Sequence, residues 1–455
     1  MCGILGMLAP YNIAQDLYTG LYGLQHRGKE SAGIVTYDGI NCWHHADMGE
    51  IAMVFRGDIL KNMPGPVGIA HNRYSTTGES EPRNIQPIRD LWHGQEFWVA
   101  HNGNIVNSDD LRKWCQGRGA ILETTSDTGV MAKIISLTGA SSFEEAVITA
   151  FPRFRGAFSM VILYMGRIIA LRDTFGFRPL SLGQKDGAYF VASETGVFSH
   201  LRAKLLREVE PGEVILLGPM GPITLKKFSS PEKKFCIFEY IYFLRPDAKV
   251  FGRRARTVRE RMGELLFLEH PAQGDFVLGI PDSGEDAGRG FANISRIPNG
   301  RKVILRTHLT SRTFIEPIQE LRERGVELKF VFFEENILGK NIIIIDDSLV
   351  RGTTLKKFIA RLRDAGAARI DVRISSPPYR FPCHYGIDTD KIASELSAAR
   401  YQGNIEEIKK WIGADSLGYL SIENATKAII EIPGETLGPS DFCTACFTGN
   451  YPIPG

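Results

Sequence analysis

The chain has 455 residues, too many for one compact core, so two domains are the default. Hydrophobic residues make up 43% and charged residues 23%, with 54 basic against 52 acidic side chains and a formal net charge of +2. That balance leaves no electrostatic footprint for nucleic acid or an anionic membrane, and no apolar run approaches bilayer-spanning length. The chain start lacks a basic stretch followed by an uninterrupted apolar one, so no signal peptide is expected and the cytoplasm is the default compartment. Seven cysteines, an odd number without a secretion signal, argue against a disulfide framework.

Cys2 follows Met1 and precedes Gly3-Ile-Leu-Gly6. A small residue in second place is the condition under which Met1 is usually trimmed. Trimming gives one residue both a thiol nucleophile and a free α-amine that titrates near neutrality and can serve as its base. Met1 removal alone is expected to suffice, with no longer leader to cut. Short apolar runs closed by Gly, Asn or Asp then predict strands at 67–74, 97–101, 159–164, 168–171 and 189–192. A helix is predicted after Thr125-Ser126-Asp127, with Val130, Ile134 and Ile135 on one face, and another around 143–151. Two sheets covered by helices, an α/β/β/α unit, are expected.

Polar residues gather where these elements end. Arg73 closes one strand, His101-Asn-Gly-Asn104 closes another, and Ser126-Asp127-Thr128 opens a helix. A thiol attacking an amide needs an oxyanion hole, which Asn102 Nδ2 and the Gly103 amide suit. A glutamine substrate needs a cation for its carboxylate and an anion for its ammonium; Arg73 and Asp127 supply these. Each has a plainer explanation: a surface ion pair, a hairpin Asn-Gly, a helix cap. Together with Cys2 and His26-Arg27-Gly28, in this order, they resemble the glutaminase domain of class II amidotransferases, of the N-terminal-nucleophile hydrolase type. The resemblance implies that Cys2 attacks the glutamine amide, that Asn102 and Gly103 hold the oxyanion, and that Arg27, Gly28, Arg73 and Asp127 belong to the glutamine site. Gly129 departs from the acidic residue usual after Ser-Asp-Thr, which weakens the helix start.

The polar stretch 228–234 marks a boundary. Beyond it, strands at 276–280, 302–305, 342–345 and 370–374 alternate with helix-length segments, which implies a mainly parallel sheet. Four consecutive isoleucines from Ile342 fit a strand buried on both faces. Leu355, Phe358, Ile359 and Leu362 share a helix face, and the tail after Leu437 reads as loop. The expected units are 2–230, 231–436 and a tail at 437–455.

Asp346-Asp347-Ser348-Leu-Val-Arg351-Gly352-Thr353-Thr354 follows the isoleucine strand. Amides at a helix N-terminus and threonine hydroxyls attract phosphate, and paired carboxylates can accept ribose hydroxyls or help hold Mg²⁺. The segment is similar to the phosphoribosyl pyrophosphate (PRPP) motif of type I phosphoribosyltransferases. Behind a class II glutaminase, it resembles the glutamine PRPP amidotransferase family over nearly the whole chain. That implies Mg²⁺ with PRPP at Ser283, Asp346 and Asp347, a 5′-phosphate cradle from Ser348 to Thr354, and a closing loop bearing Arg306 and Arg312. Two stretches depart from the family. Arg306-Thr-His-Leu-Thr-Ser311 replaces its Lys-Asn-Arg-Tyr-Val-Gly, and Pro281-Asp-Ser-Gly-Glu-Asp-Ala-Gly288 is unusually acidic for a pyrophosphate-facing loop.

Cys236, Cys383 and Cys443-Thr-Ala-Cys446 form a third set. Spacing alone leaves zinc, a redox pair and an iron–sulfur cluster open. The sequence around them is similar to the cluster-bearing subgroup of the family, which implies a structural [4Fe-4S] cluster and, as assembly, a homotetramer. Two other readings remain: a paralogue aminating another phosphosugar, and a non-enzymatic ligand-sensing regulator.

Overall fold

The computed structural model describes residues 1–74, 80–230, 232–300, 303–307 and 330–454. Its first half stacks two antiparallel sheets. One runs, strand beside strand, Lys204–Glu208, Ser181–Lys185, Ala188–Ala192, Gly3–Leu8, Val67–Arg73, Ser31–Tyr37 and Cys42–Met48. The other runs Gly221–Lys227, Glu213–Gly218, Arg167–Arg172, Gly156–Tyr164, Gln95–Ile105 and Ile88–Trp92. Side-chain alternation builds the layers. On Gly3–Leu8, Ile4 and Leu8 pack between the sheets with Ile69, Trp98 and Val161, while Leu5 and Met7 face the helices Ala14–Tyr22 and Gly196–Leu201. The second sheet's outer face carries Ser108–Gln116, Asp127–Ser136 and Phe143–Ala150. These are the four layers expected.

The second half holds a four-stranded parallel sheet in the order Phe276–Gly279, Asn341–Asp346, Arg369–Ile374 and Ser416–Tyr419. Ile343 and Ile345 pack toward the helices Ala255–Glu269 and Gly284–Ser295. Ile342 and Ile344 pack toward Thr353–Asp364, on Leu355, Phe358, Ile359 and Leu362. Burying each isoleucine contributes about 2 kcal/mol, so the sheet holds the acidic turn that follows from both sides.

Two expectations need correction. The strand predicted at 302–305 is Ile304–Arg306, and it pairs antiparallel with Phe330–Phe332 in a ladder of its own, outside the parallel sheet. The tail is not all loop. Phe442–Cys443 pairs in parallel with Phe235–Cys236, and Ala445–Thr448 forms a helical turn. Phe442, Cys446 and Phe447 bury themselves with Phe235 and Phe238 in the second half's core, contacts that two- and four-residue elements are too short to announce by periodicity. Among the described residues, no helix is long and apolar enough to cross a membrane.

Candidate functional site

Cys2 leads into the central strand of the first sheet and is 6% exposed. Its N–H donates to Asn102 Oδ1 at 3.1 Å and its thiol donates to the Tyr74 carbonyl at 3.5 Å. With its Oδ1 held this way, Asn102 leaves Nδ2 as a buried donor without a partner. Gly103 has φ +148°, and a Cβ there would lie 2.0 Å from the Ala157 carbonyl oxygen, so only glycine fits. Met1 is enclosed, and its amino group is pushed down to about 4, first by burial and also by the guanidinium groups of Arg27 and Arg178, against the Cys2 thiolate. That amine belongs to Met1 and is neutral near pH 7.

The predicted glutamine ligands surround this end. Gly3 pairs with Asn72, so Cys2 and Arg73 are the next positions along the two strands. Arg73 Nη1 meets Glu30 Oε1 at 2.8 Å. Asp127 opens its helix behind the N-cap Ser126, which accepts from the Gly129 amide at 3.3 Å. Asp127 Oδ2 also takes the Ile105 amide at 3.2 Å and lies 3.7 Å from His101 Nδ1, tying the helix to the strand of Asn102 and Gly103. Gly129 is explained by packing: a Cβ there would fall 1.9 Å from Thr124 Oγ1. At Gly28 a Cβ would meet the Arg73 carbonyl oxygen at 2.4 Å, so glycine lets the turn at 25–27 approach that strand.

Arg27 sits behind the nucleophile. Its Nε donates to the Cys2 carbonyl at 2.9 Å, and its remaining N–H groups go to Glu194 and Glu239. Burial alone would raise the Glu194 carboxyl, but the His26 and Arg27 charges more than offset that and hold it well below the carboxylate range. In the sequence His26 counted only as part of His26-Arg27-Gly28, and Glu30, Glu194, Glu239 and Arg178 were given no role. The available signal was an acid inside an apolar run, as at Phe238-Glu239-Tyr240.

In the second half, Ser283 Oγ and Ser348 Oγ donate to the two oxygens of Asp347 at 2.5 and 2.6 Å. Burial and the charge of Asp347 push Asp346 well up; burial also raises Asp347, against those two hydroxyl bonds. Gly352, left-handed at φ +77° with a would-be Cβ 2.5 Å from the Trp411 ring, caps the helix Thr353–Asp364. The first-turn amides of Thr353 and Thr354 therefore face the acidic turn as free helix-end donors. Arg351 lies on the rim, 3.4 Å from Glu395. Arg306 pairs with Asp282, while 308–311 and Arg312 lie outside the described residues. The acidity of 281–288 is partly structural: Asp286 is 6% exposed and lies 3.2 Å from Arg289 and 3.6 Å from Arg256.

The two sites adjoin. The Tyr74 phenol, raised first by burial, lies in the fields of Arg351 and Cys2. The Tyr242 phenol, pushed up to about 12 by burial, lies in the fields of Asp347, Tyr74 and Asp346.

Cys236, Cys383, Cys443 and Cys446 line one small pocket, of about 10 Å³, with Phe177, Tyr385 and Tyr451. All four are free thiols, and burial pushes Cys236 up to about 11 and raises Cys443 and Cys446 further. Among the described residues, no three His, Cys, Asp or Glu side chains group tightly enough for a single metal ion. The loop bearing Cys383 is held to the first half, since Asn104 Nδ2 donates to the His384 carbonyl at 2.8 Å and Arg178 Nε to the Tyr385 carbonyl at 3.1 Å.

A family described as "Glutamine amidotransferase domain" matches residues 71–200. Amidophosphoribosyltransferase of Bacillus subtilis is 39% identical over 99% of this chain and 94% of its own length. The protein of that name from Methanothermobacter thermautotrophicus is 39% identical over 100% and 94%, and that of Mycobacterium tuberculosis 38% identical over 99% and 86%. The solved B. subtilis glutamine PRPP amidotransferase, complexed with ADP and GMP, superposes with a TM-score of 0.92 at 37% identity, covering 100% of this chain and 98% of that one. With sequence and backbone shared along nearly the whole length, the chain belongs to the amidophosphoribosyltransferase family.

Proposed function

We propose that the protein releases ammonia from glutamine at Cys2 and transfers it to C1 of PRPP, expelling pyrophosphate and forming 5-phosphoribosylamine, the first step of purine synthesis. The observation that carries this reading is a buried thiol with a free amide donor beside it, near a paired-carboxylate turn, with Tyr74 beside the first and Tyr242 between Tyr74 and the second.

After Met1 is removed, the Cys2 amine takes the thiol proton and sulfur attacks the side-chain amide carbon. Asn102 Nδ2 and the Gly103 N–H hold the oxyanion. Ammonia leaves, and water hydrolyses the thioester to glutamate. Arg73 takes the substrate carboxylate and Asp127 its ammonium, while Gly28 and Arg27 fix the wall behind them. Passing ammonia directly to the second site keeps it from becoming ammonium in water. There, Ser348, Arg351, Gly352, Thr353 and Thr354 cradle the 5′-phosphate, and Arg306 and Arg312 close over the pyrophosphate.

The oxygen donors of Asp346, Asp347 and Ser283 fit Mg²⁺, which prefers carboxylate and hydroxyl oxygen. Bound there with PRPP, it would neutralise charge developing on pyrophosphate. The four cysteines lining one small pocket fit a [4Fe-4S] cluster by donor type, and its role would be to pin the tail and the 383–388 loop between the two halves. About four irons and four sulfides per chain are expected from anaerobically purified protein; a single zinc would remove the cluster. By family resemblance the enzyme works in the cytoplasm as a homotetramer.

Glutamate and pyrophosphate followed together, with glutamine and PRPP supplied, test the function. The expected ratio is one to one. Glutamate without pyrophosphate would favour a different acceptor, the reading suggested by the departures at Thr307 to Ser311.

A further inference from the structure

The Arg27 guanidinium joins the nucleophile to the other half of the chain. One edge holds the Cys2 carbonyl through Nε at 2.9 Å. The opposite edge is gripped by both oxygens of Glu239, at 2.9 Å from Nη2 and 3.1 Å from Nη1. A bidentate fork fixes direction as well as distance, so the plane of Arg27, and with it the carbonyl of Cys2, follows the Glu239 carboxylate. Glu194 shares Nη1 and also accepts the Arg245 amide at 3.0 Å.

Glu239 belongs to the second half. It opens a single π-helical turn, Glu239–Phe243, just past the domain junction, and its neighbours Phe238, Tyr240 and Ile241 lie in that half's core. Arg259 takes the carbonyls that end the turn: Tyr240 at 2.7 Å, Tyr242 at 2.9 Å and Leu244 at 2.7 Å. Arg259 in turn lies in the fields of Asp286 and Asp347. The carboxylate that aims Arg27 is thus anchored to the PRPP-binding side.

We propose that Glu239 is a positioning residue for the glutaminase nucleophile, supplied across the domain junction and acting through Arg27. This rests on the reading of Cys2 as that nucleophile. The competing explanation is charge balance alone. Arg27 and Arg178, with the partly exposed His26 on Glu194, stand against Glu194 and Glu239, and Arg178 Nη1 lies 3.5 Å from Glu239 Oε1. Removing one member would leave a buried cation unpaired and could cost stability without any positioning role.

The test compares full-length wild type, Glu239→Gln, Arg178→Gln, and the double variant, which removes one charge of each sign; Arg178→Gln alone reads the loss of its bonds to the Tyr385 carbonyl. Four quantities are read: kcat and KM for glutamate release, pyrophosphate release from PRPP with ammonium chloride, and the unfolding midpoint. Glu239→Gln is expected to lower glutaminase kcat about 30- to 100-fold, because a small misplacement of the nucleophile is costly. Glutamine KM and the ammonia-dependent rate stay within about threefold of wild type. Against Arg178→Gln alone, the double variant keeps the midpoint but not the glutaminase kcat. Recovery of kcat in the double variant would reduce Glu239 to a counter-ion, and parallel loss of both activities would reduce it to packing; either overturns the proposal. A wild type with glutaminase but no pyrophosphate release would fail the second-site reading while the glutaminase comparison still decides on Glu239. A wild type without glutaminase would end both.

Discussion

At the Cys2 end, buried ions meet counter-ions: Arg27 with Glu194 and Glu239, and Arg73 with Glu30. At the other end, Asp346 and Asp347 meet each other, with the hydroxyls of Ser283 and Ser348 as direct partners of Asp347. Arg259 lies within the field of Asp347, yet its N–H groups are spent on carbonyls. The first region is a finished scaffold in which charge orients a nucleophile. In the second, two carboxylates raised by burial, Asp346 also by the charge of Asp347, gain from an arriving cation, which fits a site for Mg²⁺ and a polyphosphate.

The sharpest way to separate the regions is to remove charge from the open one. Asp347→Asn should lower pyrophosphate release, with glutamine or ammonia as donor, by about 10²- to 10³-fold. Glutamate release should stay within about threefold. An equal fall in both activities would break the distinction between the regions.

The paired region predicts a pH signature. The folded-state value of Glu194 lies below its unfolded value of about 4.3. Its ionised form therefore stabilises the fold fully above that pH, and the contribution falls as pH drops toward the depressed value. Glu194→Gln should destabilise by about 3 kcal/mol at pH 6, and the deficit should shrink by about 1.4 kcal/mol per pH unit below about 4.3. Denaturant unfolding at pH 6 and pH 3 reads this directly. A deficit unchanged between them would mean that the charge of Glu194 is not what matters.

Much of the fold was readable because strand runs and turn residues carry local signals. The isoleucine run announced its own burial, whereas Gly3–Leu8, apolar on both faces because both are buried, was not read as a strand. The polar residues at element ends were readable for the same reason, being caps, turns and strand termini. The partners of Arg27 were not: Glu194 and Glu239 stand 167 and 212 positions away, and no local pattern links them. Ser416–Tyr419 was missed because four residues with a central Gly418 show no period. Gly129 looked like a weakness in its helix and proved to be a packing requirement against Thr124.

Separable chemistry at two adjoining sites is the central claim, and Cys2→Ala examines it most directly. Pyrophosphate release from PRPP should fall at least about 10³-fold with glutamine as donor, while the rate with ammonium chloride stays within about threefold of wild type. Loss of both rates in a variant that still folds would contradict the account.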